Sequence, residues 1–398
     1  MKLFHQLLVA PAALGLLAPL AVNANEANFN DVSNYSDEEA FIEINTNSFN
    51  NTPKSLLAGG EGLVNDQDID HNHNDGFSNT TVASQEVSML LFANDGDASQ
   101  ADEETAQFHY HYEMNLDTTF NGEDNLNVVI ETGNTSLASN LPNILDFGAQ
   151  NSDDLKIGEI SYTRSIGDLS VSIGDQLDVT SQFVGACAYS GFTDHLSNCG
   201  TGLSAGLEGD VSISTSFDIG NGFVGGIGFT GVEGATQHGL FTEESIDAYA
   251  AQIAYAADNY GIAVSYSNID SPTDGTALIG VSEDNTVWGL NGYYTFDGPI
   301  DSISVGYETA NPKTGSDTTN WFAGITTGEI GPGSFSAGVG TSGHTTDSAE
   351  DTLLYEATYN WDVNDSTSMT VGGYLLERTD ASGADENTGI AWSTTFSF

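Results

Sequence analysis

The 398-residue sequence carries 57 Asp+Glu against 6 Lys+Arg, a formal net charge of −51. So acidic a chain repels phosphate backbones, which excludes nucleic acid as a partner, and it concentrates cations nearby. General disorder is also excluded, because 20 Phe, 15 Tyr and 4 Trp accompany the charge.

Lys2 is followed by an apolar run from Leu7 to Val22, broken by Pro11 and Pro19. Val22-Asn23-Ala24 places small residues where a signal peptidase reads them, so residues 1–24 read as a signal peptide cleaved after Ala24. The run is too short and interrupted for a transmembrane anchor, and no later stretch has the roughly 18 consecutive apolar residues of a membrane helix. Residues 25–80 are rich in Asn, Asp, Glu and Ser, with Phe29, Tyr35, Phe41 and Phe49 scattered among them. This composition predicts a mostly disordered, acidic periplasmic extension. Asp66, Asp68 and Asp70 alternate as in a calcium loop, but the places for its Gly and final Glu hold His71 and Phe77. His71 and His73 lack the further Cys or His of a recognisable transition-metal site. The tract reads as solvated acid, and no metal or cofactor is expected.

From about residue 81 the pattern turns to period two, the mark of a sheet with one apolar and one polar face. Tyr110, Tyr112, Met114, Leu116 and Phe120 alternate with His111, Glu113, Asn115, Asp117 and Thr119. Leu353, Tyr355, Ala357, Tyr359 and Trp361 behave likewise, and so do Ile390, Trp392, Thr394, Phe396 and Phe398. Sixteen strands are predicted: 83–93, 106–120, 125–133, 156–164, 168–177, 210–218, 222–232, 246–257, 260–268, 285–297, 300–309, 318–327, 333–341, 351–361, 367–377 and 387–398. Short links such as 121–124, 165–167, 219–221 and 258–259 alternate with long ones such as 134–155, 178–209, 233–245 and 269–284. That rhythm predicts an all-β, transmembrane, antiparallel up-and-down barrel over 81–398, with turns on the periplasmic side and loops outside. An even strand number puts both ends on the turn side. A soluble sandwich also alternates but has no reason to alternate its loop lengths.

Tyr112, Phe120, Tyr249, Tyr266, Tyr294, Phe296, Tyr359, Trp361, Phe396 and Phe398 read as aromatic girdles at the two lipid–water interfaces. The opposite parity names lumen candidates: His109, His111, Glu113, Asn115 and Asp117 on one strand, and Glu131, Glu159, Glu308 and Glu356 on others. His109 and His111 would suit a metal or a proton-sensitive site; plain lumen-facing polarity is the commoner role. Beyond the leader the basic residues are Lys54, Lys156, Arg164, Lys313 and Arg378, too few for a basic ladder. Acidic rings favour cations. Cys187 and Cys199 would meet an oxidising compartment, where a disulfide is expected; free thiols are the alternative.

Enzyme signals are weak. Gly202-Leu-Ser-Ala-Gly206 has the spacing of a nucleophile elbow, but it sits in a long loop before a strand, where no helix is expected to follow. With 45 Gly in the chain it reads as a chance match. Glycines such as Gly226 and Gly228 fall inside strands, where they ease curvature or packing.

The leader Met1-Lys-Leu-Phe-His-Gln-Leu-Leu-Val-Ala-Pro, the stretch Asp31-Val-Ser-Asn-Tyr-Ser36, and the strand segments Ala250–Gly261 and Trp288–Thr295 resemble the cyanobacterial major outer-membrane porins. These are related to the carbohydrate-selective, OprB-type porins. The resemblance implies an outer-membrane pore for small hydrophilic solutes, ions and sugars among them. It also implies insertion by the barrel-assembly machinery through the C-terminal strand, with a homotrimer as one assembly open to it. It implies that the long link after the fifth strand folds into the lumen, stapled by Cys187–Cys199, with Asp175, Asp178, Asp194, Glu208 and Asp210 on or beside it. The family's surface-layer-homology domain and coiled coil have no counterpart in residues 25–80, so the resemblance leaves cell-wall anchoring open. A surface adhesin or structural barrel is the other reading. Sixteen strands leave an aqueous channel, whereas eight are filled by their own side chains.

Overall fold

The computed structural model describes residues 80–95, 105–135, 145, 147, 153–205, 207–232, 234–237, 239–242, 245–270, 285–346, 351–377 and 386–398. The signal peptide expected at 1–24 and the extension expected at 25–80, Thr80 apart, lie outside them.

In chain order the strands are β1 (Thr81–Asp95), β2 (Thr105–Thr118), β3 (Asp124–Gly133), β4 (Lys156–Ile166), β5 (Leu169–Asp175), β6 (Leu177–Asp178), β7 (Glu208–Gly209), β8 (Val211–Gly220), β9 (Phe223–Gly231), β10 (Asp247–Ala256), β11 (Tyr260–Asp270), β12 (Asn285–Thr295), β13 (Ile300–Pro312), β14 (Thr318–Thr327), β15 (Gly333–Thr341), β16 (Thr345–Thr346), β17 (Leu353–Asn364), β18 (Thr367–Leu376) and β19 (Asn387–Ser397). Two one-turn helices, α1 (Asp194–Ser197) and α2 (Gly202–Ala205), lie between β6 and β7. Sixteen antiparallel strands close a barrel, to which β16 adds a two-residue flap beside β14. β6 and β7 pair separately, with each other. Closure is made by β1 against β19, and the backbones of Gln85 and Phe398 exchange two further hydrogen bonds of 2.7 and 2.9 Å.

Turn chemistry sets several boundaries. Asn221 and Gly222 both take positive φ (55° and 85°), the geometry of a tight hairpin that matches strand twist. The expected strand 106–120 ends instead at Thr118. The Asp124 carboxylate accepts the N–H groups of Phe120 (2.8 Å) and Asn121 (3.1 Å) and the Thr119 hydroxyl (3.0 Å), which folds the chain into a turn. The expected strand 168–177 stops at Asp175, because Gln176 turns to φ 56° and Leu177–Asp178 pairs with Glu208–Gly209. The short–long rhythm has one exception, since only residues 313–317 link β13 to β14.

Face assignment follows the period. On β13, Ile303, Val305 and Tyr307 are exposed outward, while Ser302, Ser304 and Glu308 are buried inward. Aromatic pairs gather toward two ends of the outward face. Phe223–Tyr255–Tyr260, Tyr294–Phe296 and Tyr359–Trp361 lie near the turns. Phe229–Tyr249 and Tyr266–Trp288 lie near the loops. No described helix is long and apolar enough to cross a membrane; a barrel crosses with strands. The largest core is inside the barrel, where Phe92, Phe322, Leu354 and Tyr374 of the wall pack with Tyr189, Leu196 and Cys199 of the loop between β5 and β8.

Candidate functional site

The loop of residues 176–210 leaves the barrel wall through the β6–β7 ribbon and crosses to β17 and β18. Along the way the wall meets its backbone. Val184 N–H donates to Gln252 (3.0 Å), and Ala188 N–H donates to Ser304 (2.9 Å). Tyr189 O–H (2.7 Å) and Thr193 N–H (2.9 Å) both donate to the Glu356 carboxylate. Phe192 packs beside Tyr374. On the return, Leu203 N–H (3.1 Å) and Ser204 N–H (2.7 Å) donate to Glu308, which also holds His344 Nε2 at 2.7 Å. A Cys187–Cys199 disulfide, with Cα atoms 6.2 Å apart, ties the outgoing and returning limbs.

The seat is carved by small residues. A Cβ on Gly306 would overlap the Cys199 carbonyl oxygen, and one on Gly338 would stand 2.6 Å from the Tyr189 hydroxyl. Gly226 and Gly228, read in the sequence as curvature or packing glycines, face Phe183 and Val179 of the loop.

The inward acids therefore divide into two groups. Glu308 (0% exposed) and Glu356 (4%) point inward as their parity requires, but the loop covers them, so they hold the loop and do not line open lumen. His109 is also inward and buried, with Nε2 3.0 Å from Gln107. By contrast His111, Glu113, Asn115, Asp117, Glu131 and Glu159 on β2–β4 keep partial solvent access. Asn125 and Asn127 donate to Asp117 at 2.7 and 3.0 Å, and Asn115 donates to Glu113 at 2.6 Å.

Of the loop acids, Asp178 and Glu208 face each other across the β6–β7 ribbon. Desolvation pushes both carboxyls above the ordinary range. For Asp178 the Thr180 N–H and O–H oppose this; for Glu208 the charges of Asp178, Glu159 and Glu131 add to it. The loop base and the acidic wall are thus electrostatic neighbours. Asp194 opens α1, and Asp210 accepts Ala235 N–H (3.4 Å) at the loop base. Asp175 does not join them: it ends β5 and pairs with Ile160, on the outward parity of Ile173. Within the loop, burial raises the Tyr189 hydroxyl, with Glu356 adding to it, and burial lowers His195. Ser204 of the Gly-x-Ser-x-Gly match is fully buried in α2, its hydroxyl directed at the Thr201 carbonyl (3.4 Å).

One expected girdle residue stands elsewhere. Tyr112 is midway along β2, its hydroxyl donating to Gln85 (3.0 Å), because the apolar face begins earlier, at Phe108. Phe120 lies exposed in the turn beyond β2, as Phe296 does beyond β12. Glu86 is an inward acid on the acidic wall that escaped the sequence reading. It pairs directly with Glu113, and the alternation Ser84-Gln-Glu-Val-Ser88 carried that signal.

The sequence matches no protein-family model and no curated protein. Solved structures do match the fold. Pseudomonas putida OprB at high pH aligns with TM-score 0.61 at 11% identity, over 80% of this chain and 94% of that one. A loop L8 deletion mutant of OmpT, an outer-membrane protein of Vibrio cholerae, aligns with TM-score 0.56 at 12% identity, over 80% and 100%. An anion-selective porin from Comamonas acidovorans aligns with TM-score 0.56 at 15% identity, over 80% and 99%. What the chain shares with them is the closed porin-type barrel.

Proposed function

We propose that this chain is an outer-membrane porin, a water-filled channel through which small hydrophilic solutes diffuse, with a preference for cations. The observation that carries the reading is the division of the lumen: a loop seated on one wall by buried carboxylates, facing a wall of solvent-accessible acids. The lipid-facing surface supports the location, since Ile253, Val264, Leu290 and Val305 are exposed outward at mid-strand between the aromatic clusters. The same fold carries an anion-selective porin in Comamonas acidovorans. Selectivity therefore belongs to the wall residues and not to the barrel. Here Glu86, Glu113, Glu131 and Glu159 meet one inward-reaching ammonium, that of Lys156, 2.9 Å from Glu131. Acidic walls lower the energy of cations in transit. Kinship with the cyanobacterial porins rests on the leader and strand segments quoted above, and sugars are a second solute class under this reading.

The test is a planar-bilayer recording of the purified full chain in a salt gradient. The expected result is discrete conductance steps with a cation-selective reversal potential. An anion-selective potential overturns the preference, and a protein that inserts without conducting favours the structural or adhesive alternative. Block of the current by added sugars would place carbohydrates among the solutes.

A further inference from the structure

Across the open wall, strand register lines up Glu86 of β1, Glu113 of β2, Glu131 of β3 and Lys156 of β4 in one row. Like charges directly opposite on neighbouring strands are destabilising. This row holds three of them, and its single ammonium reaches Glu131 only, at 2.9 Å. His111 stands two residues from Glu113 on the same face, with Nε2 3.2 Å from Glu131 Oε2. One ligand atom each from His111, Glu113 and Glu131 lie within 4.8 Å of one another. Gly158 leaves the room Glu131 occupies, since a Cβ there would come within 2.8 Å of its Oε1.

We propose that His111, Glu113 and Glu131 form a binding site for a divalent transition-metal ion of the zinc–manganese class on the lumen wall. This departs from the sequence expectation of no metal. One imidazole nitrogen and two carboxylate oxygens fit these borderline ions, whereas calcium and magnesium favour all-oxygen shells. Ligands bound at about 2.0–2.2 Å crowd closer together than these atoms now stand, a gap that side-chain rotation closes. The ion would place positive charge between Glu113 and Glu131 and release His111 from its hydrogen bond. Lys156 competes for the same carboxylate. The placement on a solute path rests on the porin reading above; the binding itself does not.

The experiment is isothermal titration of the full chain in detergent with zinc chloride, then with magnesium chloride, in a His71→Gln/His73→Gln background that removes the imidazoles of the acidic extension. Wild-type wall residues should bind one zinc ion per chain, unaffected by a large excess of magnesium. His111→Gln and, separately, Glu113→Gln should each weaken zinc binding at least about tenfold, the scale on which a single site perturbation acts. Lys156→Gln should tighten it. An unchanged β-sheet circular dichroism spectrum and unchanged heat-modifiable gel mobility check that each variant has folded. Equal zinc binding by wild type and His111→Gln overturns the site, as does equal affinity for magnesium. Zinc binding without conductance supports the site while refuting the pore; conductance without zinc binding refutes the site alone.

Discussion

The two walls of this barrel are built from the same alternating strands and behave in opposite ways. On β10–β15 the inward positions are mostly Ala, Ser and Gly, and the loop lies directly on them. On β2–β4 the inward positions include His111, Glu113, Asn115, Asp117, Glu131 and Glu159, which keep partial solvent access, while His109 is buried. Inward size decides which wall becomes a seat and which stays open to solvent. A carboxylate has opposite duties on the two sides. Under the loop, Glu308 and Glu356 accept hydrogen bonds from loop backbone N–H groups that have no strand partner. On the open wall, Glu113 meets the Asn115 amide and Glu131 the Lys156 ammonium, and both keep solvent access.

Breaking the seat should have the largest effect. Glu308→Ala combined with Glu356→Ala removes the acceptors of Thr193, Leu203 and Ser204 N–H, at about 1–3 kcal/mol per buried group left unpaired. The loop should come off the wall, seen as a large rise in single-channel conductance and new protease cleavage within 180–205. A double variant with unchanged conductance would show that the wall does not depend on these acids. Next, Cys187→Ser with Cys199→Ser frees the two limbs, a loss of about 2–4 kcal/mol to loop order. Here conductance noise should increase before its mean shifts, and reduction of the native protein should reproduce it. Gly306→Val drives side-chain atoms into the Cys199 backbone, at about 1–3 kcal/mol of overpacking. It should raise conductance on its own, whereas the same change at Gly298, where a Cβ meets nothing within 4 Å, should not.

Changes to the open wall should alter selectivity and leave the seat intact. Glu113→Gln with Glu131→Gln should move the reversal potential toward zero at unchanged conductance noise and protease resistance. The smallest effect is that of pH. Asp178 and Glu208 have raised folded values, so each subtracts stability while ionised, and that cost is relieved as pH falls through the folded value toward the ordinary one, about 4. Mild acid should therefore weaken cation preference, starting above the usual carboxylate range, without loosening the β6–β7 ribbon. His195 runs the other way: its folded value is lowered, so protonation costs stability once pH falls below about 6.5. Asp178→Asn with Glu208→Gln should remove the early part of the selectivity change.

Much of the barrel is legible in the sequence. Period two over residues such as Tyr260, Ile262, Val264 and Tyr266 names both the strand and its outward face, because side chains alternate strictly across a sheet. The same parity placed Glu131, Glu308 and Glu356 inward. It could not say that Glu308 and Glu356 lie beneath a loop, since coverage depends on contacts more than a hundred residues apart in the chain. Asp175 shows a related limit. It immediately precedes the loop in the chain, yet the outward parity of Val171 and Ile173 turns it to the other face.

The sequence by itself determined the strands, their faces, the number that closes the barrel and the excess of acid over base, because these follow from local alternation and composition. The tertiary structure alone decided which inward acids face solvent, and it brought Glu86, Glu113, Glu131 and Lys156 into one row. Register between strands and the path of a loop across a lumen are long-range pairings. No local period encodes them, and packing against small residues fixes where the loop comes to rest.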